Sequence, residues 1–151
     1  MAQLLVFRKP IVLAGGVTLD YIYNVSHPVG PGQFNQPDDV RLLQFLLKEY
    51  ETRPSAPGTP LLPLPSVSGN FDDLTAVWIY FLQLRLKKEN SGSILDGIVS
   101  PARGLFYNLR AQAGWFIAVL NYSLKDADSK RFDALRDQPL IKSVIKEQIT
   151  V

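Results

Sequence analysis

Gly69-Asn70-Phe71-Asp72-Asp73-Leu74-Thr75-Ala76-Val77-Trp78-Ile79-Tyr80-Phe81-Leu82-Gln83 is the stretch on which the fold turns. A Gly-Asn pair followed by two acids and a long apolar-rich run is the pattern of a helix start. Asn70 is the expected cap. Asp72 and Asp73 fall in the first turn, and Arg85, Lys87 and Lys88 near the end, so both ends carry charge that suits the macrodipole. The predicted helix spans about Phe71 to Lys88. Phe71, Leu74, Trp78, Phe81, Leu82 and Arg85 share one face, which makes Trp78 a core residue ahead of a sugar-stacking platform.

Upstream, Pro54, Pro57, Pro60, Pro63 and Pro65 mark residues 52–69 as an extended loop. Leu61, Leu62 and Leu64 in that loop call for burial against its own domain. Before it, a helix is predicted from about Pro37 to Tyr50. Asn35 or Gln36 caps it, Pro37 suits its first turn, and Asp38-Asp39 complement its positive end. Val40, Leu43, Leu46, Leu47 and Tyr50 line one side, with Leu42 and Phe45 on the other, so this helix is expected to be packed on two sides. Residues 27–37 form a Gly/Pro-rich turn without the spacing of a phosphate loop.

Residues 3–26 read as β-structure. Leu4-Leu5-Val6-Phe7 is a short apolar run, Gly15-Gly16 signals a tight hairpin turn, and Val17, Leu19, Tyr21, Tyr23 and Val25 alternate with Thr18, Asp20, Asn24 and Ser26. An isolated hairpin is marginal in water, so its strands need a further strand, a helix face or a partner chain; Ile149-Thr150-Val151 is a candidate strand within the chain. Downstream of Asp96-Gly97, Ser100 and Pro101 are expected to open a third helix running to about Tyr122. Leu105, Leu109 and Phe116 belong to its main stripe, joining Leu43, Leu47, Leu74, Trp78 and Phe81 in one predicted core. Ala111, Trp115, Ala118, Val119 and Tyr122 form a second, nearly opposite stripe, read as a partner interface or as a face covered by the hairpin or the C-terminal segment. A short helix is expected at about 128–137. Residues 140–151 carry helical spacing but can also end as a strand.

Four segments in order carry a resemblance. Val40, Leu43, Gln44 and Leu47 give Val-x-x-Leu-Gln-x-x-Leu. Gly69, Phe71 and Thr75 give Gly-x-Phe-x-x-x-Thr, and Leu82-Gln83 follows. Asp96-Gly97-Ile98-Val99-Ser100-Pro101 closes the set. Together these resemble the peptidoglycan-binding-like domain family, a three-helix module attached to many cell-wall hydrolases and phage lysins. The match covers about residues 29–107. It departs from the family pattern at Ser68, Asp72, Trp78, Ser100 and Arg103. The resemblance implies a mainly α fold: a three-helix peptidoglycan-binding-like bundle with an N-terminal β-hairpin and a C-terminal extension. One domain over 1–151 is expected, with the hairpin at 1–28, the helical module at 29–122 and the extension at 123–151. The family motif is structural: glycines permit turns, Thr75 and the Asp-Gly turn fix helix entries, and the glutamines tie helix to loop.

Composition narrows function. The chain has 151 residues, 46% hydrophobic and 20% charged, which suits one globular core. A net charge of +2 implies no polyanion-binding surface, so nucleic acid is not an expected partner. With no cysteine and one histidine, His27, disulfides, thiolate metal sites and multi-histidine metal sites are excluded, and no cofactor is expected. Ser26 and His27 are strand neighbours that should point to opposite faces, so no enzyme is expected. No signal peptide or membrane span is legible. The expectation is a chain made in the cytoplasm that acts as a non-catalytic structural component of an assembly, a phage virion, tail or injection machine, or another secreted machine. Its expected partners are protein subunits or copies of itself, with peptidoglycan contact as its task there. The alternative is a stand-alone cell-wall recognition module.

Overall fold

The structure, a computed structural model, describes residues 1–12, 14–53, 62–89, 95–103, 107–108, 113–114 and 116–151. In chain order these form strands β1 (Ala2–Val12) and β2 (Thr18–Asn24), and helices α1 (Pro37–Glu51) and α2 (Asp73–Glu89). A two-residue ribbon follows, β3 (Tyr107–Asn108) with β4 (Ala113–Gly114), then α3 (Phe116–Ala127), α4 (Ser129–Ala134), α5 (Pro139–Val144) and β5 (Ile145–Thr150).

The mainly α expectation is overturned. The described residues hold five α-helices and a three-stranded mixed sheet, an α/β mix rather than a three-helix bundle. The sheet order is β2-β1-β5: β1 runs antiparallel to β2 and parallel to β5. The hairpin is therefore not an appendage. Leu4 and Leu5 point to opposite faces of β1 and both are buried, and Ile22, Tyr23 and Val25 are essentially inaccessible. The alternation of apolar and polar residues breaks at Ile22 because β2 is covered on both faces at that point.

α1 is the central helix. Val40, Leu42, Leu43, Leu46 and Leu47 are fully buried, as two-sided packing requires. α2 lies beside it with Trp78 and Ile79 buried, and the Trp78 indole N–H donates to the Pro63 carbonyl at 2.7 Å, tying the chain at Pro63 to the core. Trp78 is thus core and no sugar platform. Leu74, Phe81 and Phe116 pack at the margin of the same core, while Leu105 and Leu109 lie outside the described residues.

The expected helix over 101–122 is also corrected. Residues 101–103 are not helical, β3 and β4 occupy 107–108 and 113–114, and α3 starts only at Phe116 and runs to Ala127. Asn24 explains the first part: its side chain accepts from the Ala102 N–H at 2.9 Å and donates to the Ala102 carbonyl at 3.0 Å. Both backbone groups of Ala102 are taken by one buried amide, which holds extended backbone where Pro101 would otherwise start a helix. α2 begins at Asp73, and its capping side chain is Asp72 rather than Asn70; the Asp72 carboxylate accepts from Thr75 N–H at 2.8 Å. The C-terminal ambiguity resolves as both: α5 ends at Val144 and β5 begins at Ile145.

Candidate functional site

The motif residues converge on two turns. Gln44 Oε1 accepts from the N–H groups of Ser68 and Gly69, at 3.0 and 2.9 Å, while its Nε2 donates to the Asn70 carbonyl and the Thr75 hydroxyl. Gln83 repeats the device one helix later. Its Oε1 accepts from Gly97 N–H at 2.7 Å, and its Nε2 donates to Asp96 Oδ1 and the Ile98 carbonyl. Both glutamines are buried, and each amide satisfies buried and half-buried groups of its turn. The glycines belong to the same design. Gly69 has φ of +82°, and a β-carbon there would lie 2.9 Å from the Pro37 carbonyl oxygen. Gly97 has φ of +74°. The two turns are linked to the rest through a bridge between Val29 and Val99. Val40, Leu43 and Leu47 are buried beneath them, Phe71 is half-buried, and Pro101 is buried where the chain leaves the second turn. These residues hold backbone; none presents a reactive group to solvent.

Ser26 and His27 come together, which strand alternation argued against, and Asp39 joins them. Ser26 and His27 sit just past the end of β2, in a bend where alternation no longer applies, and Asp39 stands in the first turn of α1. Ser26 Oγ lies 2.8 Å from His27 Nδ1 and donates to Asp39 Oδ2 at 2.9 Å. Asp39 is fully buried and also accepts from the backbone N–H groups of Ser26 and His27. In a nucleophilic relay the serine and the acid occupy opposite imidazole nitrogens. Here both approach Nδ1, and the Asp39 carboxylate caps the bend. The role read from sequence for Asp39, complementing the α1 dipole, is thus only part of its work.

The second stripe of the expected third helix divides. Ala111 and Trp115 lie outside the described residues. Ala118 and Tyr122 are half-buried and pack against the core, and Val119 lines a small cavity with Tyr50, Leu82 and Leu86 between α1, α2 and α3.

A site not legible in the sequence lies at the sheet. The two edges of the sheet are treated differently. On β2, Asn121 of α3 accepts from Tyr23 N–H at 2.8 Å and donates to the Tyr23 carbonyl at 2.9 Å, capping that edge at Tyr23. β5 is the other edge. Val151, continuing its line, donates to the Val6 carbonyl and accepts from Arg8 N–H. Alternation therefore aims the N–H and C=O of Gln148 and Thr150 away from β1. Lys146, Glu147, Gln148 and Thr150 are exposed.

Beside this edge lies a pocket of about 350 Å³. Leu4, Tyr23, Ile141 and Ile145 give it an apolar floor, and Arg136, Lys142 and Lys146 a cationic rim. Arg136 is placed by the Tyr21 ring, 4.8 Å from its guanidinium carbon. Tyr21 also stacks on Phe132 and its hydroxyl donates to Asp133, which pairs with the Lys125 ammonium at 2.7 Å. Burial pushes the Tyr21 phenol up to about 12 and raises that of Tyr23 further, so both stay neutral donors under the floor. Glu147 is the acid among the described lining residues, and Gln3 Nε2 donates to it at 3.1 Å. Among the described residues no cluster of three or more metal-ligating side chains occurs, and no helix is long and apolar enough to cross a membrane.

Comparisons with protein families, with curated proteins and with solved structures find no match to this chain.

Proposed function

We propose that the chain is a non-catalytic component of a larger assembly, a phage virion, tail or injection machine, in which the peptidoglycan-binding-like motifs serve as scaffold. The observation that carries this reading is the β5 edge, unpaired among the described residues, beside its cation-rimmed pocket. An edge that presents free N–H and C=O groups is a template for another chain, and most proteins blunt such edges. Here Asn121 takes the outward groups of Tyr23 on the opposite edge, while among the described residues no backbone partner beyond β1 pairs with β5. The motif residues add support of a different kind: Gln44, Gln83, Gly69 and Gly97 are committed to holding turns, as expected of a scaffold. Light scattering and native mass on the purified chain, alone and with proteins encoded beside it, test the reading. A stable oligomer or hetero-complex is expected; a monodisperse monomer that captures none of those proteins removes it.

The alternative, a cell-wall recognition module, is favoured by one feature. Phe34, in the loop before α1, is 76% exposed and lies 5.6 Å from the His27 ring, so the pair offers an aromatic surface within the motif segment. Retention on purified peptidoglycan that falls to the level of a control protein in Phe34→Ala would support wall contact. Equal retention of chain and control excludes it.

A further inference from the structure

Strand pairing along β5 carries a side-chain code. Gln148 pairs with Leu4 on the pocket face and Ile149 with Leu5 on the opposite face, while a register shift between Ala2 and Gln3 brings Ile145 to the pocket as well. The pocket face is cationic: Lys146 lies on the strand itself, with Arg136 and Lys142 behind it. Lys142 has Asp137 at 3.4 Å, a pair exposed on both sides and worth little in water. Ile145 and Ile149 are half-buried, and Ile149 stands beside Leu5 on the opposite face.

From this we infer that the β5 edge accepts an extended segment of a partner polypeptide in which acidic and apolar residues alternate. The backbone of that segment pairs with the outward groups of Gln148 and Thr150, as in strand addition. Its acidic side chains lie on the pocket face, within reach of Arg136, Lys142 and Lys146. Its apolar side chains extend the surface begun by Ile149. A second copy of β5 is a poor occupant. In antiparallel self-pairing only residues of the same parity face each other, because only the even-numbered ones bond outward. A two-fold centred on Glu147 then sets that carboxylate against its equivalent in the copy. A two-fold centred on Gln148 sets Lys146 against a threonine. Neither arrangement neutralises the cationic rim. The inference rests on the assembly reading and adds the chemistry of the partner.

The test uses the full chain and two acetylated, amidated heptapeptides, one alternating valine with glutamate and the other valine with lysine. Amide NMR shifts locate binding and calorimetry measures it at low and high salt. The glutamate peptide is expected to bind with shifts centred on Lys146, Gln148 and Thr150, to weaken with salt, and to weaken about fivefold in Arg136→Gln and in Lys146→Gln. Both side chains are exposed, so these variants should melt like the parent. The lysine peptide should not bind. Absence of binding by the glutamate peptide at millimolar concentration, equal binding of the two peptides, or shifts centred on β2 each overturn the inference. An oligomer in native mass with no peptide binding would sink the inference and leave the assembly reading intact. Peptide binding by a chain that assembles with nothing would do the reverse.

Discussion

The two edges of the sheet differ in one respect that matters for function. On β2, a buried side chain from α3 takes both outward backbone groups of Tyr23. On β5, the comparable groups of Gln148 and Thr150 point away from β1 beside a row of exposed polar residues. The comparison teaches that sealing an edge costs one well-placed polar residue, so an edge left open is a position where pairing remains available. It also divides the molecule energetically. Removing the seal orphans buried groups, whereas altering the open edge leaves groups that water can satisfy.

The largest effect should come from the sealed side. Asn121 is fully buried and also donates to the Ile117 carbonyl. Asn121→Ala leaves the Tyr23 N–H and C=O buried without partners, at about 1–3 kcal/mol each. Urea unfolding should show a loss of several kcal/mol and hydrogen exchange a marked loss of Tyr23 protection. Stability within experimental error of the parent would mean that β2 does not depend on this seal. Next comes a pair of proline substitutions on the open side. Ile149 bonds towards β1, so Ile149→Pro breaks the ladder and should cost about 3 kcal/mol. Gln148 bonds outward, so Gln148→Pro should cost about 1 kcal/mol or less, as edge positions allow. Equal losses would show that the edge is covered or the register shifted.

Two changes in the motif region sharpen the comparison from outside, since both should leave peptide binding at β5 untouched. Gly69→Ala forces a β-carbon into a left-handed conformation and against the Pro37 carbonyl. A cost of about 1–3 kcal/mol in thermal or urea unfolding is expected. The smallest effect is a pH dependence at the α2 cap. A hydrogen bond from the Thr75 hydroxyl, then one from its N–H, holds the Asp72 carboxyl below its ordinary value of 3.8. A lowered folded value means that the stabilisation is present above 3.8 and is lost as pH falls through the folded value. Asp72→Asn should therefore cost about 0.5 kcal/mol near neutrality, with the difference from the parent shrinking in acid melts. A difference that grows on acidification would contradict the cap.

Several features were legible because their causes are local. α1 and α2 follow from apolar periodicity with acids at their starts, and the hairpin follows from two-residue alternation around Gly15-Gly16. The Gln44 and Gln83 ties belong here too, because a glutamine amide on a helix beside a glycine turn has few other uses. The third helix failed for the opposite reason. Its stripe of apolar residues over 102–120 has helical spacing, but a distant residue, Asn24, claims the backbone of Ala102. The Ser26–His27–Asp39 cluster escaped because it depends on where β2 ends, which strand periodicity does not state.

By itself the sequence determined the elements whose information lies within a few residues: two helices with their charge placement, a hairpin, two clamped turns, and a chemistry without thiols or paired imidazoles. Only the tertiary structure decided that the hairpin is core, that β5 joins β1 in parallel, that Asn121 closes one edge, and that Arg136, Lys142 and Lys146 gather at the other. Each of those facts joins residues far apart in the chain, and the interaction that fixes it, a buried amide on a strand edge or the burial of both faces of β1, exists only once the packing has formed.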